Sequence, residues 1–365
     1  MKLVANNHVR RLHMKAVRMY APRDLRVEEV DIPSYKADEC LIKVMAVGVC
    51  GSDIPRCNQY GAHVSPIIPG HEFCGKVVET GADITKFQVG DKVTCPPLIP
   101  CYKCKYCQMG QYSLCEDYDY YGSRRDGAFA QYIAVKEGNL LKVADNVSYE
   151  DAATTDPCAN ALHGMERAEF HPGDTVAIYG AGPIGLFGVQ YAKVKGAKKI
   201  IAVDIFDEKL EMAKKNGADV VVNSRKEDPV KVIMDATDGL GADCVIDFSG
   251  APSCQKAAIL SAAKLGRVVY LGISHQGLDL SEKEVDMLMR RQISLKGSWN
   301  SFTKPFPGSD WTGSLELFAQ GATAKDIISH RLSLDEAPAI FEKIATEKDF
   351  FFSKIMFFPN GREEK

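Results

Sequence analysis

The stretch DTVAIYGAGPIGLFGVQYAKVKGAKKIIAVD, from Asp174 to Asp204, decides the fold. Its first apolar run, 175–179, is too short for a helix and rich in strand-forming residues. Gly180-Ala181-Gly182-Pro183-Ile184-Gly185 follows, a G-x-G-x-x-G pattern, and then a helix-like segment to about Lys195. A second apolar run, 199–203, ends on Asp204. Each part has a physical task. Gly180 allows a tight turn, Gly182 lets the backbone approach a pyrophosphate, and Gly185 lets the helix pack close to the strand, while the helix N-terminus faces the anion. Asp204 stands close to the roughly 20-residue spacing at which an acid binds a ribose 2′-hydroxyl. The glycines alone would fit a turn in a protein that binds no cofactor. Strand, glycines, helix, strand and terminal acid in order make a dinucleotide-binding unit. The charge of Asp204 would repel a 2′-phosphate, so the reading is NAD rather than NADP.

Outward from this unit the pattern continues. Asp207 is a candidate N-cap for a helix ending near Gly217. Strand 220–223, a helix opened by Asp228-Pro229, strand 243–248, helix 252–264, strand 267–272, helix 281–291 and strand 293–297 follow. About six strands separated by helices make a doubly wound parallel sheet over 158–297. Before it, short strands broken by Gly, Pro and Asp (41–49, 73–79, 91–94 and 130–135) form a β-rich module. Beyond Trp299 the chain is irregular and aromatic, then closes with a helix near 335–345 and a strand, 354–358. Because the parallel sheet is already complete, this tail is assigned back to the first module. The expected division is therefore 14–157 with 298–365 as one domain and 158–297 as the other. Residues 1–13 read as an N-terminal extension that is basic but lacks the apolar core of a signal peptide.

A chain of 365 residues can bury a large core and split into two domains. Charged residues make up 25% and the net charge is -3, which argues against a nucleic-acid partner. No run of 18 apolar residues is present, so no membrane span and a cytoplasmic location are expected. Nine of the 12 cysteines fall between Cys40 and Cys115, which points to metal rather than scattered disulfides.

Cys101, Cys104, Cys107 and Cys115 are spaced C-x2-C-x2-C-x7-C. Four thiolates in one loop suit a tetrahedral zinc with no open position, a structural site. An iron–sulfur cluster is the alternative. A second set is dispersed. Cys50-Gly51-Ser52-Asp53 follows a strand, Gly70-His71-Glu72 precedes another, and Asp156-Pro157 sits at the domain junction. Singly, each has an ordinary structural reading. Together, cysteine, histidine and carboxylate are ligands for a zinc that keeps a position open and can polarise a bound hydroxyl.

With these motifs and Asp126-Gly127-Ala128-Phe129-Ala130, the chain from about Met14 onward resembles the zinc-dependent medium-chain dehydrogenase/reductase family, and most of all its polyol dehydrogenase branch. Gly51 to Arg56, Gly61-Ala62-His63, Tyr121 to Gly127 and Gly297-Ser298-Trp299 carry the branch resemblance. It implies an α/β fold in which a GroES-like β-rich catalytic domain is interrupted by a Rossmann domain. It implies NAD, one structural and one catalytic zinc, and oxidation of a secondary hydroxyl of a polyol or polyol phosphate. It also favours zinc over iron at the four cysteines, and a homodimer or homotetramer.

Residue by residue, the resemblance makes Cys50 and His71 ligands of the catalytic zinc. Glu72 becomes a ligand or the group that exchanges with solvent or substrate, and Ser52 the first hydroxyl of a proton relay. Asp156 stands where the family usually has Glu, one methylene longer, so Asp156 is expected to reach the metal through a water or intermittently; the alternative is that its loop moves in and Asp156 is a permanent ligand. Pro55 stands where many relatives have a relay histidine; His63 is a candidate substitute, though a solvated loop histidine is the plainer reading. Arg56, Arg124 and Arg125 are candidate phosphate contacts, since arginine pairs bidentately with phosphate; solvent-facing or bracing arginines are the alternative. Trp299 and Asn300 lie where polyol relatives line the substrate pocket, with core packing the alternative for Trp299. A sorbitol, arabitol-phosphate or threonine dehydrogenase, a zinc-free quinone reductase and an NAD-sensing protein without chemistry are the rival readings. The intact Cys50, Ser52 and His71 weigh against the last.

Overall fold

The strand Thr175–Tyr179 is buried along its whole length, as a central strand covered on both faces by helices must be. In this computed structural model, which describes residues 13–347 and 349–362, it lies third in a six-stranded parallel sheet. The order is Val220–Asn223, Lys199–Asp204, Thr175–Tyr179, Ala242–Asp247, Ala262–Tyr270, Ser294–Gly297. The chain winds one way from Thr175–Tyr179 and the other way from Ala242–Asp247. A crevice therefore opens at their carboxyl ends, where Gly180 lies. Most of the extension read over 1–13 lies outside the described residues.

A seven-stranded sheet forms the other half. Glu39–Gly48, a ten-residue strand buried almost throughout, is its centre. It pairs antiparallel with Glu72–Thr80, Tyr132–Lys136 and Lys354–Phe357. The tail strands Ile328–Leu332 and Lys354–Phe357 thus join the first sheet. Ile42, Val77, Phe129, Phe341 and Phe357 fill its core. The helix Thr155–Arg167 packs against Pro183–Val194 of the other half, and their shared core continues through Ala46 and Cys74.

Several elements differ from the sequence expectation. Asp207 is not an N-cap. Phe206 holds that position in an extended conformation, and Asp207 is the first helical residue, its carboxylate accepting from Asn223 and Lys226. The helix expected over 252–264 stops at Ser261, because Ala262 already pairs with Ala242. Pairing with the central sheet outweighs helix propensity there. The helices Thr155–Arg167 and Ser309–Ala319 were not among the expected elements. Trp299 is 53% exposed, which removes core packing as its role; Trp311 is the buried tryptophan.

Candidate active site

Antiparallel register assembles the dispersed metal set. Gly48 faces Glu72 across the two central strands. Cys50 lies two residues beyond Gly48 and His71 one residue before Glu72, so both fall at the same end of the sheet. The donor atoms of Cys50, His71 and Glu72 all lie within 4.8 Å of one another. His71 and Glu72 are almost wholly buried, at 3% and 2% exposure. The chemistry of the donors fits a cation. His71 Nδ1 is buried with no hydrogen bond, 3.5 Å from Asp53 Oδ1, which leaves Nε2 free to face a cation. A carboxylate behind a ligating imidazole is the usual means of fixing its ring and tautomer. Asp53 is itself held by the Cys50 backbone N–H (3.0 Å) and by Arg56 Nη1 (2.9 Å). Burial disfavours the charged imidazole, but the Asp53 carboxylate and the Cys50 sulfur prevail and raise the His71 pKa well above its ordinary range. A buried imidazole set between a carboxylate and a thiol is a place suited to a cation.

Asp156 stands apart from these donors. It lies buried in the first turn of Thr155–Arg167 and is not among the three grouped atoms. Burial pushes its pKa up to about 7, with Glu72 adding to the rise and His71 and Lys354 opposing it. Its carboxylate thus feels the cluster without joining it. Ser52 Oγ donates to Cys50 Sγ at 3.3 Å, beside the donor set.

Three further residues belong to the cluster and were not singled out for a role in the sequence. Lys354 Nζ, 2% exposed, bonds Glu72 Oε2 at 2.5 Å and the Val49 carbonyl at 2.9 Å. A Cβ on Gly48 would come within 2.6 Å of that same Glu72 oxygen, so a larger residue there would push the pair aside. The signal for Lys354 was available: a lysine opening an otherwise apolar strand. Asp53, quoted only as part of a motif, lies behind His71. Tyr120 sets its ring edge-on to His71, 5.5 Å between centroids.

The four loop cysteines are also gathered within 4.8 Å and form no disulfide. Cys101 and Cys107 Sγ are 3.9 Å apart. A tetrahedral zinc with bonds of about 2.3 Å separates its sulfurs by about 3.8 Å, so the donor set fits one ion. A multi-iron cluster would spread the thiolates over separate metals. Backbone N–H groups of Glu116 and Cys107 lower the Cys104 pKa to about 6, while burial raises those of Cys107 and Cys115. The loop packs on Phe302 and Trp311 as a cluster separate from the Cys50, His71 and Glu72 donors.

At the crevice, Gly180 has φ +95°, and a Cβ on Gly185 would fall 2.0 Å from the Gly180 carbonyl. A Cβ on Gly182 would meet nothing within 4 Å, so that face is open to a ligand. Pro183 and Ile184 begin the helix Pro183–Val194, whose N-terminus points there. Asp204 Oδ2 accepts from Ala181 N (2.8 Å) and Oδ1 from Ile205 N (2.7 Å), fixing the carboxylate at the end of its strand. The residues fit a dinucleotide.

The candidate substrate contacts separate. Arg125 is engaged by Asp119 at 2.7 Å and lies over Tyr121, so it braces its loop. Arg56 and Arg124 are considered further below. Neither Trp299 nor Asn300 makes a hydrogen bond or ring contact to the cluster among the described residues.

Comparison with known proteins agrees with this geometry. Residues 36–145 match the alcohol dehydrogenase GroES-like domain and 183–320 the zinc-binding dehydrogenase family. The chain belongs to the zinc-dependent medium-chain dehydrogenases. It falls among their polyol dehydrogenases: it is 35% identical over 323 residues to galactitol 1-phosphate 5-dehydrogenase of Escherichia coli (strain K12), covering 88% of this chain and 93% of that one. It is 33% identical over 356 residues to sorbitol dehydrogenase of Bacillus subtilis, covering 95% and 98%. The crystal structure of galactitol-1-phosphate dehydrogenase from Escherichia coli superposes with a TM-score of 0.90 at 34% identity, covering 95% of this chain and all of that one. Among the described residues no helix is long and apolar enough to cross a membrane.

Proposed function

We propose that this zinc-dependent polyol dehydrogenase oxidises a secondary hydroxyl of a polyol or polyol phosphate with NAD, giving a ketose, NADH and a proton. The specific proposal is galactitol 1-phosphate to tagatose 6-phosphate, supported by the likeness to the Escherichia coli enzyme. The observation that carries the reaction class is the grouping of Cys50, His71 and Glu72 at the sheet end, three protein donors of the kinds a catalytic zinc uses.

Cys50, His71 and Glu72 would hold the catalytic zinc, and Cys101, Cys104, Cys107 and Cys115 the structural one. The catalytic ion, when bound, supplies a positive charge that makes the substrate hydroxyl more acidic. NAD, when bound, supplies the hydride acceptor. The protein's own groups do the rest. Asp53 orients His71, and Ser52 is positioned to take the hydroxyl proton toward solvent. Tyr120 walls the site beside His71. Gly182 gives the pyrophosphate clearance, and Asp204 accepts from the adenine ribose. Lys209 and Arg225 flank the neighbouring Phe206 ring at 5.1 and 5.2 Å, so positive charge is close by, but Asp204 at the strand end decides against a 2′-phosphate. The expected result is NADH formation with a panel of polyols and their phosphates, abolished by a strong chelator and markedly slower with NADP. Equal efficiency with NAD and NADP would refute the role of Asp204.

Asp156 is proposed to act on the metal from outside its donor set. The shorter side chain and its absence from the grouped donors support this. Losing such a group typically weakens metal binding about 10–100-fold. Asp156→Asn is expected to do so in a zinc competition titration, and Asp156→Glu to restore or tighten binding. Unchanged affinity in both variants would remove Asp156 from the site.

A homodimer or homotetramer is proposed. Ser294–Gly297 is the open edge of its sheet, and Leu295 and Trp299 beside it are 40% and 53% exposed. Sedimentation of the purified chain as a monomer would contradict it.

A further inference from the structure

Two arginines approach the His71 end of the metal cluster by separate routes. Arg56 Nη1 and His71 Nδ1 face the same oxygen of Asp53, at 2.9 and 3.5 Å, which sets Arg56 next to the cluster. One of its five N–H donors is used there, and its side chain keeps 15% exposure. Arg124 arrives along a run of rings. Its guanidinium lies over Tyr118 (4.6 Å), Tyr118 meets Tyr120 edge-on (6.2 Å), and Tyr120 meets His71 edge-on (5.5 Å). Among the described residues no carboxylate pairs with Arg124, although the adjacent Arg125 has Asp119. His63, on the same connection as Arg56, is an exposed loop residue that feels the charge of both arginines. Its pKa is lowered, first by partial burial and then by the charges of Arg124 and Arg56. Three groups from two loops thus add positive charge around the His71 end of the cluster.

A polyol is neutral and has no use for such a field. A phosphate monoester carries nearly two negative charges and accepts paired N–H donors from arginine. We propose that Arg56, His63 and Arg124 form a subsite for the phosphate of the substrate, so that the enzyme selects polyol phosphates over free polyols. The proposal rests on the polyol dehydrogenase reading and narrows its substrate class. Arg124 is the discriminating residue, because among the described residues it has no carboxylate partner and two rings, Tyr118 and Tyr120, separate it from His71. Arg56 also positions Asp53, so its loss would disturb His71 as well.

The test compares zinc-loaded parent enzyme, Arg124→Ala and Arg124→Lys on galactitol 1-phosphate and galactitol. A charge-assisted hydrogen bond is worth about 10–100-fold. The ratio of kcat/KM for the phosphate over the free polyol is expected to fall by about that factor in Arg124→Ala, mainly through KM, and to recover partly in Arg124→Lys. A ratio that is the same in parent and Arg124→Ala would overturn the proposal. Calorimetry gives a second arm that needs no turnover. Glycerol 3-phosphate should bind the parent and lose affinity in Arg124→Ala, with glycerol and glycerate binding more weakly. Glycerate binding as tightly, or inorganic phosphate binding as tightly as the ester, would overturn selection for a phosphorylated polyol. If no polyol or phosphate is oxidised, the reaction assignment fails, and the calorimetric comparison still decides the subsite.

Discussion

His71→Ala and Cys50→Ala are each expected to abolish polyol oxidation while leaving NADH binding close to that of the parent. The two residues would supply two of the three protein donors to the catalytic ion, and no other cysteine or histidine stands within reach among the described residues. Polarisation by a bound metal is worth several kcal/mol of transition-state stabilisation. At about 1.4 kcal/mol per decade, the loss predicts a fall of at least roughly 10³-fold in kcat/KM. The dinucleotide crevice lies at Gly180 and Asp204, in the other sheet, and neither residue contributes to its strands. Fluorescence titration with NADH should therefore give nearly the parent affinity. His71→Ala also leaves Asp53 facing a void, so far-ultraviolet circular dichroism accompanies the measurement. Near-parent turnover by Cys50→Ala after metal removal would rule out the zinc mechanism.

What could be read from the sequence was what local spacing encodes. The glycine turn, its flanking strands and Asp204 are consecutive, so their pattern survives as text. The same holds for the four-cysteine loop. The return of the tail to the first sheet was legible because six strands already complete a doubly wound sheet. Lys354 was not legible as a site residue. Its meaning depends on the pairing of Met356 with Gly48 and of Gly48 with Glu72, two long-range registers that no local window contains. Arg124 and Arg125 look equivalent in the sequence, yet Asp119 takes only one of them. The helix Thr155–Arg167 was missed because Thr154-Thr155-Asp156-Pro157 reads as a turn. The helix instead begins there, held by packing on Pro183–Val194.

Lys354→Met is expected to destabilise the zinc-free protein strongly and to tighten zinc binding. Lys354 and Glu72 form an ion pair with side-chain exposures of only 3% and 2%. Burying two charges is offset by their mutual attraction and by the Val49 carbonyl, which accepts from Lys354 Nζ. Methionine matches the lysine stem in volume but leaves Glu72 buried with its charge uncompensated. Breaking such a pair from one side costs about 3–5 kcal/mol. A metal ion held by Cys50, His71 and Glu72 supplies the missing positive charge, so the zinc-bound form loses less than the zinc-free form. By linkage, a state destabilised less gains in relative population, and zinc affinity rises. Adding Glu72→Gln to Lys354→Met removes the unpaired charge and should recover much of the zinc-free stability, while costing the metal a donor. Urea denaturation of the chelated protein and zinc competition titration measure the two effects. If the chelated Lys354→Met protein were as stable as the parent and its zinc affinity unchanged, Lys354 would not be the counter-charge that holds Glu72 in place.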